Sequence, residues 1–179
     1  MKKIIIYCLL LIVFCSFVIP AVRADYVLPY PSYMPGNKLY KVGRVIDTHK
    51  RFWYFGSIAQ TKYHLGLSDK YLVEAKTLFE YKQYMLGADA LIRSNNEFNE
   101  IPHYIAKAKE SGIDVTLLKA TILDAAKKHG EVLSLLDEQL PKTFLWEPEK
   151  EKPTELKLHD LLTASAGVRI KIVNDIALF

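Results

Sequence analysis

From position 38 onward, apolar residues recur at three- and four-residue intervals, the period of an amphipathic α-helix. The pattern predicts five helices. The first spans 38–55, with Leu39, Val42, Ile46 and Trp53 near one face and Val45, Phe52 and Phe55 widening it. That face is predicted as core, with Tyr54 at its rim. Gly56 suits a position of positive φ, and Ser57 with Gln60 three residues later has the spacing of a capping box. The second helix, 57–82, carries Ile58, Leu65, Leu72, Ala75, Leu78 and Phe79 inward. Gly66 and Ser68 weaken its middle, and Lys70 and Glu74 form an i,i+4 pair predicted on the solvent side. After a tight turn at 81–84, the third helix runs 85–111 with Leu86, Ala90, Leu91, Phe98, Ile101, Ile105 and Ala108 inward. Pro102 costs about 3 kcal/mol inside a helix and predicts a kink near 99–101 or a break. Gly112 ends this helix and Asp114 can cap the fourth, 115–140, whose stripe is Leu118, Ile122, Ala125, His129, Val132 and Leu136. Pro141 stops it. Residues 141–154 read as a loop with an apolar insert, Phe144-Leu145-Trp146, set to tuck onto the helices. Thr154 caps a fifth helix, 155–177, lined by Leu158, Leu161, Leu162, Ser165, Val168, Ile172 and Ile176. The expected fold is all-α: an antiparallel bundle of four to five helices joined by short connections.

The chain ahead of these helices is organised differently. Lys2 and Lys3 precede an uncharged apolar run from Ile4 to Ile19, too short for a comfortable membrane span of about 20 residues. Val22 and Ala24 then occupy the small-residue positions of a signal-peptidase site. Cleavage between Ala24 and Asp25 is expected; an uncleaved segment would act as an anchor. Both cysteines, Cys8 and Cys15, and three of the four net positive charges lie in residues 1–24. The remaining 155 residues carry no thiol, so neither a disulfide nor thiolate chemistry is available to them. Their near-neutral charge gives no field of the kind nucleic acid requires. Residues 25–37 hold Pro29, Pro31 and Pro35 among Tyr26, Tyr30 and Tyr33. They read as an extended strap that packs its tyrosines and Leu28 on the bundle, ending at Asn37 as N-cap. The expected organisation is a signal peptide at 1–24, the strap at 25–37 and one helical domain at 38–179.

The opening Leu28-Pro29-Tyr30-Pro31, then Met34-Pro35-Gly36-Asn37-Lys38-Leu39-Tyr40, resembles the start of a bacterial family of exported helical domains of unknown function. Leu72-Val73-Glu74-Ala75, the hairpin from Tyr84 to Leu91, and Lys128-His129-Gly130-Glu131-Val132-Leu133 follow in the order that family uses. The resemblance runs from about Tyr26 to Pro141. Gly43, Gly87 and Gly130 stand where the family carries larger residues. The resemblance implies an extracytoplasmic location and a helical architecture, and brings no catalytic residue.

Candidate chemistry is sparse. His49, His64, His103, His129 and His159 include no i,i+4 pair of the metalloprotease type, and His129 alone lies on an apolar stripe. Asp124, Glu131, Asp137 and Glu138 read as solvated acids of the fourth helix. Phosphate loops and nucleophile elbows are absent from the sequence. Lys50 and Arg51, with Tyr54 beside them, are candidate surface-contact residues for a membrane interface or a glycan. No cofactor or metal is expected. The sequence thus points to an exported, non-catalytic binding or structural module of the cell envelope, with an envelope protein or glycan as partner. Nucleic acid is not an expected partner, and membrane contact is expected only through an uncleaved N-terminus. The alternative is an envelope hydrolase or metal-dependent enzyme in which His49, His64 and His103 converge from different helices.

Overall fold

A computed structural model of the protein describes residues 25–150 and 152–178. The expected export segment and its cleavage residue Ala24 lie outside the described residues, of which Asp25 is the first. The described chain is mostly helical: α1 (Lys38–Lys50), a 3-10 turn (Arg51–Trp53), α2 (Ser57–Glu80), α3 (Tyr84–Glu110), α4 (Thr116–Gln139) and α5 (Leu158–Ala177). It is not purely helical. The segment predicted as a loop folds into an antiparallel hairpin, β1 (Thr143–Trp146) and β2 (Thr154–Lys157), in the register Thr143↔Lys157 and Trp146↔Thr154. Thr143, Phe144, Trp146 and Thr154 favour extended backbone, and Pro148 and Pro153 keep the connection out of helix. Thr154 is therefore a strand residue and not a cap, and α5 begins at Leu158 instead of 155. Of the apolar insert, Phe144 packs on the Tyr84 ring with centroids 4.7 Å apart, while Leu145 and Trp146 remain exposed.

Helices α2 to α5 bury their stripes in two clusters. One holds Leu65, Phe98, Ile101, Ile105, Leu118, Ile122, Ala125, Ile172 and Ile176 among others. The second holds Leu72, Ala75, Leu78, Phe79, Ala90, Leu91, Leu133, Leu136, Leu158 and Leu162. Helix α2 passes from the first to the second, α3 from the second to the first, α4 from the first to the second, and α5 back again. Successive helices therefore run in opposite directions; short connections join α2 to α3 and α3 to α4, and the β-hairpin joins α4 to α5.

Several local expectations give way to packing. Helix α2 continues unbroken through Gly66 and Ser68, because Ser68 is buried and its hydroxyl donates to the Ser94 carbonyl at 2.9 Å. The Ser57–Gln60 capping box does not form. Gly56, at φ +87°, is the N-cap, and the Gln60 carboxamide instead donates to the carbonyls of Arg51 and Tyr54. Helix α3 runs through Pro102 without a break; Ile101 and Ile105, both fully buried, each contribute about 1.5–3 kcal/mol of burial against the lost backbone bond. Leu86 faces solvent, not the core. Glu74 is not on the solvent side: it is 2% exposed. The N-cap of α4 is Val115, not Asp114, which stands one residue ahead and accepts from the Thr116 amide at 2.9 Å; Asn37 caps α1 by accepting from the Leu39 amide at 2.9 Å. In the strap, Tyr26, Leu28 and Met34 pack on the two clusters. Tyr30 and Tyr33 are exposed, so one of its three tyrosines packs inward and not all.

Gly87 of α3 faces the Phe79 ring of α2. A Cβ there would lie 2.6 Å from Phe79 Cδ1, and Phe79 is a core side chain, 1% exposed. Gly87→Ala should therefore lower stability by about 1–3 kcal/mol, the usual cost of overpacking, against a gain of about 1 kcal/mol in helix propensity. A urea midpoint that rises in the variant would contradict this contact.

Candidate functional site

The two clusters are separated by a polar layer to which every helix of the core contributes at the same level. Its centre is His129 on α4, fully buried. His129 Nε2 donates to Asp69 Oδ1 on α2 at 2.7 Å. The other Asp69 oxygen accepts from the Tyr26 hydroxyl of the strap at 2.5 Å. On the far side of the imidazole, Nδ1 accepts from Arg169 Nε on α5 at 3.4 Å. The ring is thus a neutral Nε2–H tautomer set between a carboxylate and a guanidinium. Arg169 also donates from Nη2 to Ser94 Oγ at 2.8 Å, from Nη1 to the Ser165 carbonyl at 3.1 Å, and to Asn95 Oδ1. Its guanidinium lies over the Phe98 ring, 5.3 Å from the centroid.

Burial sets the proton affinities of this layer. Desolvation lowers the His129 pKa, the Asp69 hydrogen bond opposes that, and Arg169 adds to it. Desolvation likewise lowers Arg169 to about 10, with Asp69 pulling the other way. Tyr26 is pushed up, first by burial and then by the Asp69 charge. These groups bond mainly to one another across four helices, which suits orientation of the helices more than chemistry on a substrate. A groove of about 460 Å³ opens beside Tyr26 and Asp69, walled by Ile58, Leu65, Leu117 and Leu118. Both Asp69 oxygens already accept hydrogen bonds where they meet it.

Helix α1 lies outside this core, and it is turned the opposite way from the sequence-based expectation. Its inward face is polar. Tyr40 donates to Glu74 Oε1 at 2.7 Å, and Arg93 Nη2 donates to the same oxygen at 2.8 Å and to the Tyr40 hydroxyl at 3.2 Å. Asp47, the one buried residue of α1, pairs with Lys70, and its carbonyl accepts from the Tyr63 hydroxyl at 2.8 Å. Below it, Tyr63, Leu67 and Tyr71 make a small cluster of their own. Tyr40, Gly43 and Asp47 are spaced i, i+3, i+7, so they share one face.

The consequence is that Leu39, Val42, Val45 and Ile46 face solvent, each 46% exposed or more. The aromatic residues after α1 continue the exposure: Phe52 and Trp53 are each 70% exposed and Phe55 is 82% exposed. These residues, predicted as core, are instead surface. The physical reason is that periodicity identifies a face without saying which side of a helix meets protein, and here the polar contacts of Tyr40 and Asp47 hold the opposite face down.

The candidate contact residues sit at the edges of this surface. Lys50 Nζ is 3.6 Å from Asp47 Oδ1, and Arg51 Nη2 donates to the Tyr104 hydroxyl at 3.4 Å. Tyr54 turns back, its ring 5.2 Å from that of Tyr63. The histidines are distributed among separate partners. His49 Nδ1 donates to the Val45 carbonyl at 2.8 Å. His64 Nδ1 meets Glu97 at 2.7 Å while its ring stacks on Tyr104, and His103 meets the same tyrosine edge-on. His159 Nδ1 meets Asp137 Oδ1 at 2.7 Å. Of the α4 acids, Glu131 pairs with Lys128 at 2.9 Å. Among the described residues no three His, Cys, Asp or Glu side chains converge as metal ligands, and no helix is long and apolar enough to cross a membrane. The residues that sequence reasoning missed are Asp47, Asp69, Glu74 and Arg169, charged groups whose burial depends on neighbours from other helices. Compared with known proteins, the chain matches no family model, no curated protein and no solved structure.

Proposed function

We propose that this protein is an exported, non-catalytic binding module of the cell envelope, and that its working surface is the outer face of α1 with the aromatic turn that follows. In this reading residues 1–24 direct export, and α2 to α5 form an antiparallel bundle that serves as a rigid support. The observation that carries the reading is the orientation of α1: a helix held by a specific polar seam presents Leu39, Val42, Val45, Ile46, Phe52, Trp53 and Phe55 outward. Contiguous exposed apolar surface of this kind marks interaction sites in proteins, and a face this apolar is costly to leave in water at about 25 cal/mol per Å².

Site-specific photo-crosslinking in the intact, expressing cell tests it. A photoreactive residue at Val42 should give adducts well above those from the same probe at Ser134, an exposed position on α4. A protein, glycan or lipid adduct at position 42 supports a binding surface. Equal yields at the two positions overturn it.

A further inference from the structure

We infer that the ligand of the α1 face is an anionic lipid surface, on which α1 lies flat. The inference rests on the binding-module reading above and identifies its partner; it takes up the membrane-interface candidacy of the 50–54 segment, moves it onto the whole α1 face, and departs from the expectation of membrane contact only through an uncleaved N-terminus.

The charge distribution around the face decides among occupants. Lys38, Lys41, Arg44, Lys50 and Arg51 are all exposed along α1 and its turn. The only acid in 38–55 is Asp47, which is buried and already paired with Lys70. At 100° per residue, Leu39, Val42, Val45 and Ile46 occupy one outward arc of α1, and Trp53 is exposed in the 3-10 turn that follows. Lys41 lies at one edge of it and Lys50 at the other, Lys38 falls within it, Arg44 lies farther round toward the bundle, and Arg51, in the 3-10 turn, reaches back to Tyr104. An apolar stripe carrying leucine, phenylalanine and tryptophan between basic margins is the composition of a helix that rests in the interface plane, with its apolar side about 5–10 Å below the headgroups. The basic residues then reach lipid phosphates, and the Trp53 indole sits at the depth where one end is wet and the other apolar.

The alternatives fit less well. A second copy joined face to face would bring Lys38, Lys41 and Lys50 of both copies into one interface that holds no accessible acid of α1, because a two-fold interface uses the same patch twice, and like charges across an interface are costly. A polyanion such as nucleic acid would meet the margins and leave the apolar centre uncovered. A helix of 13 residues is about 20 Å long, too short to span and long enough to lie flat. The seam of Tyr40, Asp47, Glu74 and Arg93 fixes the orientation in advance, so binding need not order the helix.

The test uses the full chain with Trp146→Phe, which leaves Trp53 as the sole tryptophan. Vesicles rich in phosphatidylglycerol should shift Trp53 emission to the blue and protect it from an aqueous quencher, and neutral phosphatidylcholine vesicles should do so weakly. Raising salt should reverse the shift. Lys41→Gln should lower partitioning about fivefold, as expected for one basic residue near an anionic surface. Val42→Glu with Ile46→Glu should abolish the shift while circular dichroism and the melting midpoint stay unchanged. Because the N-terminal segment is the same in every variant, attachment through it cannot mimic these differences. Trp53 emission that ignores anionic vesicles, or that responds equally to neutral ones, overturns the lipid assignment. If that result came with a protein adduct at position 42, the binding-module reading would stand without it; if it came with no adduct, both would fall.

Discussion

Arg169→Leu should destabilise the folded chain by about 3–5 kcal/mol, the range for removing one partner of a buried charged network. Arg169 is 2% exposed, and its guanidinium supplies the hydrogen bonds that reach His129, Asn95, Ser94 and the Ser165 carbonyl. Leucine fills much of the volume but donates nothing. His129 Nδ1 would lose its donor, Asn95 would lose its charged partner, and the Asp69 carboxylate would be left buried without the cation beyond the imidazole. The cost comes from those stranded groups and not from the worth of the arginine itself. The distinction is measurable. Asp69→Leu, His129→Leu and Arg169→Leu together remove the charges with their partners, and replacing a buried ionic set by apolar residues is often close to neutral. The triple variant should therefore lie nearer the parent than the single one in urea midpoint. A single variant within about 1 kcal/mol of the parent would show that the layer does not hold the helices.

The same layer marks where the sequence is informative. The stripes of the later helices are legible because their buried side chains are apolar: Leu118, Ile122 and Ala125 on α4, and Leu162, Ile172 and Ile176 on α5, are predicted and buried. Arg169 was not read as buried, although a signal exists. Leu158, Leu162, Ser165, Arg169, Ile172 and Ile176 alternate four- and three-residue steps, which places the arginine in register with the stripe. Residue type argued against it, since arginine is almost never fully buried unless paired, and its partners come from α3 and α4. Asp69 and Glu74 were hidden for the same reason. The hairpin was missed because TFLW and TELK are each too short to declare a strand, and only their pairing across the proline-containing connection stabilises them.

Helix α1 is the opposite case. Its periodicity shows an amphipathic helix but not which face meets the bundle. Tyr40, Gly43 and Asp47 form a narrow polar face, but nothing along the chain announces that Glu74, Arg93, Lys70 and Tyr63 will meet it. Lys38, Lys41 and Lys50 stand among and beside the apolar positions of this helix, and with the stripe they describe a surface helix more faithfully than a core one.

Acid should unfold this protein through His129, and the sign follows from its surroundings. Asp69 faces the ring from α2, Arg169 from α5 and Phe98 from α3, while Tyr26 of the strap holds the other Asp69 oxygen. Burial, aided by the Arg169 charge, lowers the folded-state pKa in spite of the Asp69 hydrogen bond. In the unfolded chain the imidazole titrates near its ordinary value of about 6.5. Below that pH the unfolded state binds a proton that the folded state resists, so stability falls as pH falls, with a slope from this residue approaching about 1.4 kcal/mol per pH unit. The contribution is complete above about pH 6.5 and is lost progressively until the pH passes the lowered folded-state value. His129→Gln isolates it, because a carboxamide can still donate to Asp69 and accept from Arg169 but does not titrate. Stability measured by urea denaturation from pH 7.5 down to pH 4.5 should diverge: the parent should lose stability faster than the glutamine variant as the pH drops. Subtracting one profile from the other removes every shared carboxylate and histidine. Parallel profiles would mean that His129 accepts its proton as readily inside the fold as outside. The ring would then carry a charge beside the Arg169 guanidinium, and the neutral, Nε2-protonated imidazole between carboxylate and guanidinium would be the wrong description of the layer.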